Sequence, residues 1–191
     1  MPLILPKAGY FEYEEKRSKF LGFCTAISTE QEARSLISEI RNTHTRANHN
    51  VFAYATLKDN ITRFSDDGEP SGTAGMPILN VFQKSGVINY VCVVTRYFGG
   101  TLLGAGGLVR AYTKAAKGAM DEASPTELII ATLYQVICVY SHFDKLKYNF
   151  DKWGIEILEI IYTDICTLMV RVTETQEMVF RSGDFYSFQE L

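Results

Sequence analysis

From residue 9 to residue 27 aromatic and polar positions alternate through Tyr10, Phe11 and Tyr13. They cross the charged run Glu14-Glu15-Lys16-Arg17 and resume with Phe20, Leu21 and Phe23, a pattern that predicts a hairpin. Thr29 followed by Glu32 has capping-box spacing, and Ala33, Leu36, Ile37 and Ile40 recur at one-face helical spacing, so an amphipathic helix follows. Val51–Leu57 and Ile61–Phe64, divided by Lys58-Asp59-Asn60, predict a second hairpin. Next comes SDDGEPSGTAG (Ser65 to Gly75), too rich in Gly and Pro for helix or strand. Beyond it Pro77 suits a first helical position, with Ile78, Leu79, Val81 and Phe82 packing a short helix that ends near Gly86. Val87–Phe98 is nearly continuous apolar and rich in β-branched residues, the pattern of a central strand buried on both faces. A glycine-rich loop, Gly99 to Gly107, leads into a helix that runs to about Ala123, where Ser124-Pro125 stops it.

The remaining 67 residues read as strand (Leu128–Val139), helix (Phe143–Trp153) and two strands (Ile155–Ile161, Cys166–Val172), then a weak tail from Glu174 to Leu191. That order is most of a split βαβ unit. Charge places the boundary between residues 124 and 125. Residues 1–124 carry 14 Lys/Arg against 12 Asp/Glu, net +2, and residues 125–191 carry 5 against 10, net −5. The expected architecture is α+β in two domains, 1–124 and 125–191. With 191 residues, 47% of them hydrophobic, the chain can bury a real core. No apolar run approaches the roughly 18 residues of a membrane span, and the apolar stretch before Pro6 is too short for a secretion signal. Cys24, Cys92, Cys138 and Cys166 stand far apart inside apolar runs, without the spacing of a zinc site or redox motif, and read as reduced core thiols. A cytoplasmic location with no membrane partner is the expectation.

Two constellations carry candidate chemistry. On a helical wheel Arg110, Lys114 and Lys117 fall within about one sixth of a turn, while Leu108, Tyr112, Ala115, Ala116, Ala119 and Met120 take the opposite side. Just upstream Gly99, Gly100, Gly106 and Gly107 carry no side chains. Backbone N–H groups at the helix start can therefore approach a phosphate, helped by about half a positive charge from the helix dipole. Arg96, at the end of the preceding strand, would join this anion site. The spacing fits neither a P-loop nor a dinucleotide fingerprint, and a solvated basic face on a tight glycine turn remains the alternative. Asp66, Asp67 and Glu69 form the second constellation. Their segment is too short for a calcium loop, and no nucleophile, base and orienting group accompany them. A turn reading accounts for them, with Asp67 bonding backbone N–H groups across Gly68, Pro70 fixing the exit beside Ser71, and the carboxylates orienting Arg96 or Arg110. No catalytic residue, metal site or cofactor is assigned. His44 and His49 have no zinc-motif spacing. His49 reads as a hydrogen-bonding residue at a strand start or as a contact to phosphate or RNA.

Four segments in this order carry a family resemblance: Ala47-Asn48-His49-Asn50, Ser65 to Pro77, Val94 to Gly100 (VTRYFGG) and Leu103 to Tyr112 (LGAGGLVRAY). Over residues 16 to 122 the chain resembles the IMPACT/YigZ family, and its tail resembles more loosely the second domain of bacterial members. The resemblance implies a first domain with the fold shared by the second domain of small-subunit ribosomal protein five and domain four of EF-G, a sheet with helices on one face. It implies a ferredoxin-like second domain, like domain five of EF-G, whose final helix and strand would be short. It further implies a non-enzymatic protein linked to regulation of translation, with RNA or a ribosome-associated partner. Two rival readings stay open: a metal-assisted hydrolase or transferase acting on a phosphorylated ligand through Asp66, Asp67 and Glu69, and a protein-interaction module. Both constellations should meet at one end of the first sheet, because the loops that carry them connect to neighbouring apolar strands.

Overall fold

The computed structural model describes residues 2–183 and 187–191; Met1 and residues 184–186, parts of the chain start and tail considered above, lie outside the described residues. The chain forms two compact units, Met1–Leu128 and Ile129–Leu191. The boundary falls four residues beyond the charge switch. The reason is local: β7 (Thr126–Glu127) pairs antiparallel with β1 (Leu3–Ile4) and so belongs to the first unit.

The first unit contains a five-stranded antiparallel sheet in the order β2-β3-β6-β4-β5. Strands β2 (Gly9–Glu15) and β3 (Ser18–Ala26) make the first predicted hairpin, and β4 (His49–Thr56) and β5 (Ile61–Ser65) the second. Strand β6 (Tyr90–Tyr97) is central, and its first seven residues are buried. Cys92 and Val94 face α2 (Gly75–Ser85) and α3 (Gly104–Glu122), in a core with Phe20, Ile78, Phe82 and Tyr112. Val91 and Val93 point the other way, onto Ala33 and Ile37 of α1 (Glu30–Thr43). Helices therefore cover both faces, which corrects the expectation of helices on one face only. A strand apolar on both sides exposes its second row unless another layer covers it, and α1 is that layer.

Local signals explain most element ends. Thr29 Oγ1 accepts from the Glu32 N–H, and Glu32 Oε2 accepts from the Ser28 N–H at 2.8 Å, so the capping pair opens α1. Helix α2 begins at Gly75, two residues before Pro77, and stops at Gly86 with φ of 72°. Helix α3 begins at Gly104, so Gly106 and Gly107 lie in its first turn and not in a loop.

The second unit runs β8 (Ala131–Cys138), α4 (Tyr140–Trp153), β9 (Glu156–Tyr162), β10 (Cys166–Thr173), α5 (Glu177–Arg181) and β11 (Ser187–Glu190). Its antiparallel sheet has the order β11-β8-β10-β9, the ferredoxin-like arrangement of two interleaved strand–helix–strand halves. The weak tail thus holds a five-residue helix and a four-residue strand. Tyr134, Val136, Phe150, Leu168, Val170 and Phe180 fill its separate core.

Candidate functional site at the signature loops

All three carboxylates of SDDGEPSGTAG are engaged, each differently. Asp66 closes the loop onto the start of α2: Oδ1 accepts from the N–H groups of Ala74 (3.0 Å) and Gly75 (2.8 Å), and Oδ2 from Gly72 (2.9 Å). Asp66 therefore does the work expected of Asp67. Asp67 instead reaches back to β4 and α1: Oδ2 accepts from the Asn50 N–H of β4 at 2.6 Å, and Oδ1 pairs with Arg41 of α1 at 2.6 Å. A backbone turn bond, Glu69 N–H to Asp66 C=O at 2.9 Å, and φ of 88° at Gly68 complete the loop. Ser71 is exposed at its tip, as is Pro70, whose carbonyl accepts from Thr73 N–H and Oγ1–H.

Glu69 turns inward and is 8% exposed. Its Oε1 accepts from Arg96 at 2.6 Å and from the Tyr112 hydroxyl at 2.7 Å. Burial first, and then the Glu69 charge, push the Tyr112 phenol far up, which keeps it a neutral donor. Arg96, expected at the anion site, is 5% exposed, with its guanidinium carbon 5.4 Å from the Phe20 ring centre and 5.5 Å from that of Phe98. Its charge is already paired with Glu69 inside the protein, so it is not a free cation for phosphate. Arg96 Nε is buried without a hydrogen-bond partner among the described residues.

His49 opens β4 and pairs in register with Arg96. Its Nδ1 lies 2.8 Å from the Asp67 carbonyl oxygen, which can only accept, so Nδ1 carries the proton. Nε2 is left 3.8 Å from Glu69 Oε1. The companion His44 caps the end of α1, with Nδ1 2.8 Å from the Tyr97 hydroxyl.

The two glycines of the preceding loop have separate causes. A Cβ on Gly99 would stand 2.0 Å from the carbonyl carbon of Arg17, and Gly100 has φ of 81°. Gly99 N–H donates to Ser18 Oγ at 3.1 Å, which ties this loop to the β2–β3 turn. That turn is Lys16-Arg17, both exposed and both at positive φ, 47° and 65°. On α3, Arg110, Lys114 and Lys117 are all exposed, but only two of them turn toward this end. Lys114 Nζ lies 4.1 Å from the Tyr13 ring centre, and Arg110, Lys114 and Lys16 together line a cavity of about 210 Å³ with Tyr13, Glu15 and Gly107. Lys117 is paired with Asp121 one turn along the same helix.

A second cavity, of about 390 Å³, opens between the signature loop and the start of α3. Asn48, His49, Glu69, Arg96, Phe98 and Leu102 line it, along with Pro70, Leu103, Gly104, Ala105 and Leu108. Residues from all four motif segments thus converge on one place. No side chain caps α3 at Leu103, so its first N–H groups have no side-chain partner. Sequence reasoning missed Lys16, Arg17, Phe98 and Tyr112. The positive pair in a hairpin turn was a legible signal for the first two. Nothing local marked Phe98 or Tyr112, whose roles depend on elements far apart in the chain.

The family model of the Impact N-terminal domain matches residues 16–120. The chain belongs to the IMPACT family. The IMPACT family member YvyE of Bacillus subtilis (strain 168) is 35% identical over 175 residues, covering 91% of this chain and 81% of the relative. The IMPACT family member YigZ of Escherichia coli (strain K12) is 36% identical over 148 residues, covering 75% and 72%. A solved structure described as that of an hypothetical protein covers 99% of this chain and 95% of its own, with 29% identity and a TM-score of 0.63. This family membership accounts for the motif order, and the two-unit α+β architecture agrees with that solved neighbour. No described helix is long and apolar enough to cross a membrane.

Proposed function

We propose that this IMPACT family protein is a binding protein of the translation apparatus that docks RNA, or a ribosome-associated partner rich in phosphate, through its first unit. The observation that carries the reading is the cavity where Lys16, Arg110 and Lys114 converge from two elements beside the first turn of α3. Its one carboxylate, Glu15, already accepts from the Tyr13 hydroxyl. Exposed cations held on a hairpin turn and a helix face fit a phosphate chain, which needs charge at several points more than a deep pocket. Family membership supports a setting in translation regulation. Asp66, Asp67 and Glu69, the residues of the metal-assisted alternative, are engaged by backbone N–H groups and arginines, which favours the binding reading. Among the described residues no group of three or more His, Cys, Asp or Glu is placed to hold a metal ion.

The test is the salt dependence of binding to a single-stranded RNA. Replacing Lys16, Arg110 and Lys114 together by Ala should weaken binding and make the log–log salt slope shallower by about 0.7 per lost contact. Because all three are exposed, each change should alter stability by under about 0.5 kcal/mol. A folded triple variant with unchanged affinity and slope removes this face from the interface. Lys117→Ala should leave both quantities unchanged, because that amine already pairs with Asp121.

A further inference from the structure

Helices cover the two faces of the five-stranded sheet unequally. Strands lie about 4.8 Å apart and a helix is about 10–12 Å across, so one helix covers about two strands. One face carries both α2 and α3; the opposite face carries α1 alone, packed on β4 and β6. Register shows what this leaves bare on the β2–β3 side. Tyr10 of β2 pairs with Phe23 of β3, which pairs with Val93 of β6, and Glu12 pairs with Leu21, which pairs with Thr95. Val93 points onto α1, so Tyr10, Glu12, Leu21 and Phe23 share that face but lie beyond the helix. The result is a groove of about 540 Å³, with β2 and β3 as its floor and Leu36, Glu39, Ile40 and Thr43 of α1 as its wall.

The groove is apolar and open to solvent. Tyr10 is 68% exposed, with its ring centre 5.0 Å from that of Phe23, and Leu21, Phe23, Leu36 and Ile40 are half-buried. Contiguous apolar surface rimmed by polar residues is characteristic of interaction sites. The rim carries an excess of negative charge. Glu12 and Glu14 alternate with Tyr10 on one side of β2, and Glu39 stands on α1; the one cation beside them, Lys19, pairs with Glu12 at 3.1 Å. Glu14 and Glu39 are exposed and have no ion pair among the described residues. His44, at the end of the groove, is held to the Tyr97 hydroxyl at 2.8 Å. These carboxylates repel phosphate, and a second copy of the chain would set the same carboxylates against each other. The wall helix α1 has 14 residues and is about 21 Å long, so a helix of similar length laid beside it would complete the layer. We propose that the groove receives an amphipathic helix of a protein partner, about three to four turns long, with its apolar face on Tyr10, Phe23 and Ile40 and its Lys or Arg residues beside Glu12, Glu14 and Glu39. This inference is independent of the RNA reading, because the cationic cavity lies with Tyr13 on the α3 side of the sheet.

The experiment uses three dye-labelled synthetic peptides of about 14 residues. One has Leu at one-face helical spacing and Lys elsewhere, one has Glu in place of each Lys, and one has the Leu and Lys positions shuffled to spoil the apolar face. Fluorescence anisotropy with the full chain should show the Lys peptide binding about tenfold more tightly than either control. The amide resonances that move on adding it should be those of residues 10–12, 21–23 and 36–43. Tyr10→Ser, a change at an exposed position, should weaken the Lys peptide about tenfold and leave affinity for single-stranded RNA within about twofold. Replacing Glu14 and Glu39 together by Lys should turn the preference over to the Glu peptide. Failure of the Lys peptide to bind, or equal binding by either control, overturns the inference. So do shifts confined to another surface, or binding that Tyr10→Ser leaves intact. A dimer seen by sedimentation equilibrium that Tyr10→Ser dissociates also overturns it, since a second copy is then the occupant.

Discussion

Asp66, Asp67 and Glu69 lie within four positions of one another, yet they end in three environments, and their worth should differ accordingly. Asp66 satisfies three backbone donors with one side chain, so Asp66→Ala should cost about 1–3 kcal/mol, read as a lower urea midpoint. Glu69→Ala should cost more, on the order of 3–5 kcal/mol, because it leaves the Arg96 guanidinium buried without its counter-charge. A milder loss for Glu69→Ala than for Asp66→Ala would show that Arg96 finds water or another partner. The cysteines are the buried free thiols that the sequence pattern implied, although they meet in pairs. Cys24 and Cys92 face each other across β3 and β6, and Cys138 and Cys166 across β10 and β8, all four buried and reduced. Burial pushes the Cys24 thiol up to about 12 from an ordinary value near 9. In the unfolded chain this thiol ionises first, so the unfolded state binds fewer protons over that interval and folding stability falls as pH rises from about 9 to about 12. Below about 9 the contribution is fully present. Urea titrations across this range should show the decline, and Cys24→Ala should make it less steep.

At the scale of elements, both hairpins of the first sheet turn through left-handed residues that are not glycine, Lys16 and Arg17 in one and Asn60 in the other. The β2–β3 turn places Lys16 and Arg17 in the left-handed region, where a side chain costs energy, although two-residue hairpin turns favour Asn-Gly. Retaining two cations there makes sense if their charge is used. Replacing Lys16-Arg17 by Asn-Gly should therefore stabilise the first unit by about 1–2 kcal/mol, seen as a raised melting temperature, while weakening RNA binding. Helix α3 sits directly on this hairpin through small residues: a Cβ on Gly22 of β3 would lie 2.4 Å from the carbonyl oxygen of Ala115. Gly22→Val should drive the helix off the strand and cost about 1–3 kcal/mol or more by overpacking, measured by the same urea titration. Because α3 also presents Arg110 and Lys114, that displacement should weaken RNA binding even though no cation is removed.

Each unit of the whole molecule has its own core, built from Phe20, Phe82 and Tyr112 in the first and from Tyr134, Phe150 and Phe180 in the second. Residues 1–128 expressed alone should consequently fold, with dispersed amide resonances and RNA binding close to that of the full chain. A disordered fragment would refute this and tie the first unit's stability to the second. Much of the architecture was legible from the chain itself. Alternation in two hairpins, the capping pair Thr29 and Glu32, the two-faced run of β6 and the terminating Gly86 are local signals, because each is set by the period of a strand or helix or by the geometry of a chain end. The exposure of Arg110, Lys114 and Lys117 followed for the same reason, from the apolar residues on the other side of their helix. The sequence also carried the family motifs that place the chain in the IMPACT family. Tertiary structure alone decided what those motifs build. That Arg96 is buried against Glu69, that Asp66 rather than Asp67 caps α2, and that Lys16 joins Arg110 and Lys114 depend on the register and packing of residues up to about a hundred positions apart. Local pattern tells which side of an element faces inward; it carries no information about which other element, and which charge, will be waiting there.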